Sequence, residues 1–156
     1  MKKSIALILS LVCVVCVVGF IVYNNSLPKK YPVFNGVSHS DIEGVFVEID
    51  CIYKYPDITA LGVTWNNQTE YTISYGEAFG IERLENGEWV DCSLKSNIFT
   101  LMGYSLNSNE KVEKKYRITD MYDISKSGTY RFLATCSRMD INEGKSYSVW
   151  AEFVIE

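Results

Sequence analysis

The chain has 156 residues, of which 47% are hydrophobic and 22% charged, with 11 tyrosines but only 3 prolines. This composition argues against a disordered chain and leaves room for one folded domain of ordinary size. The formal net charge is −4, so we expect no nucleic-acid partner.

The first predicted element is a transmembrane helix over residues 1–23. Lys2 and Lys3 precede an uncharged run, residues 4–23, and about 20 apolar residues are enough to span a bilayer. Secretory signals have shorter apolar regions of about 7–15 residues and a small-x-small cleavage site, for which this run offers only poor matches. We therefore predict a signal anchor, with one pass through the cell membrane and the domain on the extracytoplasmic side. The alternative is a cleaved signal or lipid anchor, and cleavage would leave a secreted protein.

Residues 24–41 form a predicted linker. The segment contains Asn-Asn-Ser, Leu-Pro-Lys-Lys, Tyr-Pro and Asn-Gly, which are turn and linker signals without sustained periodicity. The only histidine, His39, falls in it.

Short runs of alternating apolar and polar residues fill the predicted domain, residues 42–156. In residues 44–55 the alternation puts Val45, Val47, Ile49, Cys51, Tyr53 and Tyr55 on one face. Similar runs lie at residues 61–65, 71–75, 99–106, 112–118, 128–139 and 146–156. About seven short strands without a convincing internal helix predict an all-β fold, an antiparallel β-sandwich.

The stretch from Gly76 to Cys92 predicts a hairpin. Asn86-Gly87 is typical of a type I′ turn, which needs a positive φ at both central residues. A two-residue loop sets Leu84 opposite Trp89, so the tryptophan covers the hairpin and has no catalytic role.

Three cysteines follow the apolar segment: Cys51, Cys92 and Cys136. Their odd number permits one disulfide and a leftover thiol, or three buried thiols. Cys51 and Cys136 lie on the more apolar faces of their strands, so this pair is the candidate disulfide.

No catalytic constellation is visible. A nucleophilic triad needs a base beside serine or cysteine, and the lone histidine precedes the first predicted strand. The cysteines beyond the apolar segment have no zinc-site spacing, and no phosphate-binding glycine loop is present. The mixed charges from Glu110 to Arg117 predict a solvated edge or strand face. We therefore expect no enzyme activity, metal or cofactor.

The order of the motifs resembles the bacterial Ig-like domain found in small exported proteins of Gram-positive bacteria. The likeness covers residues 60–133 and includes a tyrosine corner, in which Ile124 stands six positions before Tyr130. The residues that carry it are Asn66, Tyr75, Gly76, Asn86, Gly87, Trp89, Gly128, Tyr130 and Arg131. The resemblance implies an immunoglobulin-like sandwich whose matched residues are structural, with no catalytic residue to transfer.

We therefore predict a non-enzymatic, membrane-anchored domain that binds a protein or cell-surface component. The alternative is an Ig-like proteinase inhibitor, secreted or tethered, whose inhibitory loops follow Trp65 and surround residues 107–109. A third hypothesis gives Cys92 a redox role.

Overall fold

The computed structural model describes residues 14–24, 26–32, 36–54, 59–96, 99–100, 102–141 and 144–155. Helix α1 covers residues 14–24, and helix α2 is the single turn Ile118–Met121. The strands in chain order are β1 (Lys29–Pro32), β2 (Ser38–Ser40), β3 (Val45–Lys54), β4 (Thr59–Asn67), β5 (Ile73–Gly76), β6 (Gly80–Glu85), β7 (Glu88–Asp91), β8 (Gly103–Leu106), β9 (Glu110–Arg117), β10 (Gly128–Arg138) and β11 (Ser146–Ile155).

Two antiparallel sheets form a sandwich, as the alternation predicted. Sheet A has the order β1-β3-β4-β9. Sheet B has the order β2-β11-β10-β5-β8, and the β6-β7 hairpin also pairs with β10. Strands β5 and β6 together act as one interrupted strand, because they pair with opposite ends of the long strand β10.

The predicted hairpin is present with the expected register. Leu84 pairs with Trp89, and Arg83 pairs with Val90. Asn86 has φ 52° and Gly87 has φ 88°, the positive values that a type I′ turn requires.

The core lies between the two sheets. Its largest fully buried side chains include Trp65, Tyr130, Phe132 and Phe153. The indole of Trp65 donates from Nε1 to the hydroxyl of Tyr116 at 3.0 Å, so its one polar atom is satisfied. Burial of this large apolar surface is the main term that stabilises the sandwich.

A β-bulge corrects the predicted faces of the first long strand. The register shifts between Ile49 and Cys51, so Asp50 has no partner on β4. Because an extra residue reverses the alternation, Ile52 enters the core while Cys51 and Tyr53 turn to the outer face. The assignment of Cys51 and Tyr53 to the same face as Val45 was therefore wrong.

The segment predicted as a linker contains two of the strands. Strand β1 pairs with β3, and β2 pairs with β11. Both are short edge strands, which is why their sequences carry too few alternating residues to signal strand formation.

Helix α1 is apolar and exposed. Val15 is 64% exposed and Phe20 is 66% exposed. Among the described residues, no helix combines the length and apolarity needed to cross a membrane. Residues 1–13, which hold much of the predicted span, lie outside the described residues.

Candidate binding face

The outer face of sheet B carries a row of aromatic and charged side chains across five strands. Cross-strand pairing places Arg131 of β10 beside Glu82 of β6, and Trp150 of β11 beside His39 of β2. Paired residues point to the same side of a sheet. We call this surface the Trp–Arg face and define it by His39, Glu82, Leu84, Trp89, Arg131 and Trp150.

The centre of the Trp–Arg face is Arg131, which lies between two indoles. Its guanidinium carbon is 4.6 Å from the ring centroid of Trp89 and 5.4 Å from that of Trp150. Arg131 Nε also donates to the carboxylate of Glu82. Cation–π contacts of this kind are worth about 0.5–2 kcal/mol each, so the three side chains hold one another in place.

The row continues to the edge of the sheet through His39. Its ring stacks on Trp150 with centroids 5.5 Å apart and an interplanar angle of 29°. His39 Nε2 lies 3.4 Å from a carboxylate oxygen of Asp41. The sequence analysis did not predict that His39 stacks on an aromatic ring, because the three-residue strand β2 leaves no recognisable pattern in the sequence.

Apolar side chains accompany the row. Leu84 is 39% exposed and Val154 is 41% exposed. Tryptophan and arginine are the residues that most often supply binding energy at protein interfaces. The face thus offers rigid aromatic surface, a fixed cation and neighbouring carboxylates.

A second feature is a buried asparagine that joins two loops at one end of the sandwich. Asn67 Nδ2 donates to the carbonyl oxygens of Tyr71, Leu106 and Asn107 at 2.8, 3.1 and 2.9 Å. Its Oδ1 accepts from the backbone N–H of Thr69 at 3.1 Å. Asn67 is 1% exposed. The loop after β4 is thereby fixed to the turn between β8 and β9.

The sequence motif named the neighbouring Asn66 instead. Asn66 donates to Glu48 at 3.0 Å on the outer side of sheet A. Two adjacent asparagines at a strand end look alike in sequence, and only the strand register shows that Asn67 points inward.

A partly buried cation, Lys114, lies at the open side between the two sheets. Lys114 Nζ is 2.7 Å from a carboxylate oxygen of Glu77. It also lies over the rings of Tyr104, Tyr116 and Tyr75 at 3.6, 5.3 and 5.8 Å. The cluster from Glu110 to Arg117 forms the edge strand β9 with mostly exposed charged side chains, as predicted. Lys114 is the exception, because its side chain is only 15% exposed.

The remaining motif residues lie outside the Trp–Arg face. Tyr75 stacks on Trp65 with centroids 4.4 Å apart, and Gly76 ends β5. Gly128 has φ 148° and begins β10. Tyr130 donates from its hydroxyl to the carbonyl of Lys126 at 2.5 Å, the bond expected of a tyrosine corner. Of the named residues, Trp89 and Arg131 meet on the Trp–Arg face.

The cysteines of the sandwich are free thiols in this structure. Cys136 belongs to the main core, whereas Cys51 lies in a separate cluster with Tyr53 and Ala60. The candidate disulfide between Cys51 and Cys136 is thus not formed here, and its premise of a shared core face fails at the bulge. Burial raises the pKa of Cys136 to about 11.

Cys92 lines a cavity of about 250 Å³ together with Arg83, Asp123 and Tyr130. Burial raises the pKa of this thiol to about 11, even though nearby Arg83 acts in the opposite direction. A thiol with a raised pKa is a poor nucleophile at neutral pH.

Across the described part of the chain, no three His, Cys, Asp or Glu side chains are grouped to hold a metal ion.

The geometry agrees with the sequence comparison. The family model of the bacterial Ig-like domain matches residues 44–153, which run from the start of β3 almost to the end of β11. The chain belongs to the bacterial Ig-like domain family. No curated protein matches the chain.

Membership of the bacterial Ig-like domain family indicates a non-enzymatic surface or extracellular domain. Such domains are generally non-catalytic, and this one offers the Trp–Arg face and the loops joined by Asn67 as its chemically distinctive surfaces.

Proposed function

We propose that this protein is a non-enzymatic binding module on the extracytoplasmic side of the cell membrane, which binds a protein or cell-surface component through its Trp–Arg face. The observation that carries the proposal is the placement of Arg131 between Trp89 and Trp150. A cation stacked between indoles is already ordered, so a partner loses little side-chain entropy by contacting it.

The proposed tether is the N-terminal segment, residues 1–23, as a single-pass anchor. It is supported by the apolar run of the sequence and by the exposed apolar side chains of α1. Cleavage after this segment would instead yield a secreted module. We propose residues 42–156 as the binding domain and residues 24–41 as its connection to the anchor, with β1 and β2 of that connection joined to the sandwich.

Binding of the full-length chain, in mild detergent, to isolated envelopes of the host bacterium tests the proposal. Arg131→Ala and Trp150→Ala should each weaken binding by about tenfold or more, the effect of losing an interface hot spot. Glu48→Ala is the matched control, because Glu48 is exposed on the outer side of the other sheet. Equal binding by all three variants, with unchanged melting temperatures, would rule out the Trp–Arg face.

Proteinase inhibition is the second candidate function. It is favoured by the hydrogen bonds of Asn67, which fix two neighbouring loops in one arrangement. Rigid loops bind a protease cleft at low entropic cost. Titration of secreted serine and cysteine proteases with excess protein tests it, and a panel that shows no slowing removes this candidate while leaving the first one intact.

A further inference from the structure

One end of sheet A gathers lysines and tyrosines close to the N-terminal helix. Lys30 of β1 pairs with Tyr53 of β3, and Lys29 pairs with Lys54. Lys115 of β9 lies on the same outer face as Tyr53, with Nζ 4.2 Å from the ring centroid. Strand alternation places Lys30, Tyr53 and Lys115 on the outer face of sheet A, and Lys29, Tyr31 and Lys54 on its opposite side. The lysines and tyrosines therefore surround this end of the sheet on both sides. We call it the basic end and define it by Lys29, Lys30, Tyr31, Tyr53, Lys54 and Lys115.

The lysine side chains of the basic end pack over tyrosine rings. Lys30 Nζ is 5.8 Å from the ring centroid of Tyr53, and Lys54 Nζ is 5.0 Å from that of Tyr31. The hydroxyl of Tyr53 donates to Glu113 at 3.0 Å. The rings thus support the ammonium groups, which are held at the surface instead of extending freely into solvent.

These cations contrast with the rest of an acidic chain. Among the described residues, the ion pairs involve Lys114, Arg83, Arg117, Arg131, Arg138 and His39. None of the four lysines of the basic end takes part in an ion pair there. Their charge is therefore available to an external anion.

The position of the basic end along the chain indicates which kind of anion the lysines would bind. Helix α1 reaches residue 24 and β1 begins at Lys29. Four intervening residues span at most about 15 Å, so a tether in the bilayer keeps β1 close to the headgroups. Tyrosine is enriched at membrane interfaces, and clustered lysines next to a membrane segment attract anionic lipids.

We propose that the basic end docks on anionic phospholipid headgroups and thereby orients the sandwich on the membrane. This inference rests on the membrane tether of the proposed function. Docking through this end of sheet A does not cover the outer face of sheet B, so the Trp–Arg face stays accessible to a partner.

Lysine footprinting of the full-length chain in lipid nanodiscs tests the docking. Discs of phosphatidylcholine alone are compared with discs that also contain phosphatidylglycerol, and acetylation of each lysine is read by mass spectrometry. We expect labelling of Lys30, Lys54 and Lys115 to fall roughly fivefold in the anionic discs, the shift produced by one favourable lysine–headgroup interaction. High salt should restore it, since the screening length falls to about 3 Å at 1 M.

Lys145 is the matched control. It is exposed just before β11, and its Nζ lies 4.9 Å from the ring centroid of Tyr147, a setting similar to that of Lys115. Its labelling should be the same in both discs. In the double variant Lys30→Gln and Lys54→Gln, the protection of Lys115 should be lost.

Two failures are distinguishable in this experiment. If the chain elutes with both kinds of disc and its lysines are labelled equally in both, the docking is overturned and the tether stands. If the chain elutes apart from both discs, the tether itself is overturned, and the docking with it.

Discussion

The ring of Tyr53 lies against Gly62 of the neighbouring strand. A Cβ atom at position 62 would come within 3.1 Å of Tyr53 Cε2 and 2.8 Å of Cys51 Sγ. The ring therefore fills the space that a side chain would take, and it seals the buried Cys51 on an outer sheet face.

Gly62→Ala should destabilise the domain by about 1–3 kcal/mol, because the added methyl group forces the packed ring or the thiol to move. Denaturant unfolding of the variant measures this change. Gly103→Ala is the control, since a Cβ at position 103 meets nothing within 4 Å. A cost at position 62 no greater than at position 103 would contradict the close packing of Tyr53.

Asn67→Ala should cost at least about 2 kcal/mol of unfolding free energy. The substitution removes the donor shared by the carbonyls of Leu106 and Asn107, which lie in a buried or partly buried setting. Asn66→Ala loses partly buried bonds to Glu48 and to the Thr64 carbonyl, of which only the first is short, and should cost less, about 1 kcal/mol. Thermal melts of the two variants decide the matter, and the reverse order would refute the role given to Asn67.

The stability of the domain should fall in acid, in part through Glu77. Burial acts to raise the pKa of this carboxyl, but the bonds from Lys114 and Tyr104 outweigh it and hold the pKa below its ordinary value of 4.5. A lowered folded-state pKa means that the contribution of Glu77 is complete above pH 4.5 and is lost as the pH falls through the folded value.

Glu77→Gln should therefore be less stable near neutral pH, by about 1–2 kcal/mol for a partly exposed ion pair. Its unfolding free energy should also change less than that of the wild type between neutral pH and pH 3. Parallel acid profiles for Glu77→Gln and the wild type would count against the Lys114–Glu77 pair.

The thiols of the sandwich should react slowly in the native protein. With the pKa of Cys92 and Cys136 raised to about 11, the thiolate fraction is about a hundredfold lower than for an ordinary thiol of pKa 9. Alkylation without reductant, followed by peptide mass analysis, should label these sites only after denaturation. Rapid native labelling of Cys92 would revive its redox role, and labelling that requires a reductant would reveal a disulfide.

Part of the fold could be predicted because it depends on residues that are close together in the sequence. Asn86-Gly87 demands a tight hairpin, and Leu84 and Trp89 then meet by counting outward from the turn. Long alternating runs such as residues 128–139 predict a strand with one buried face, because a period of two residues fits a strand better than a helix.

Other features depend on information that adjacent residues do not contain. The bulge at Asp50 leaves no mark in the pattern of apolar residues, yet it reverses the faces of everything after it in β3. Arg131 and Trp150 meet through strand pairing, and His39 joins them from a strand of three residues. The candidate site is therefore a product of the sheet order, although Trp89 and Arg131 both stood out in the sequence.

The inward position of Lys114 has a consequence for the solubility of the domain. Strand β9 is an edge of sheet A, and an uncovered edge is a template for pairing with another chain. A strand added there would press upon a cation already confined by tyrosines, and it would meet the charged side chains Lys111, Glu113 and Lys115 along the same edge. Inward-pointing and flanking charges of this kind oppose edge-to-edge polymerisation, so β9 is protected against pairing with the same edge of a second copy.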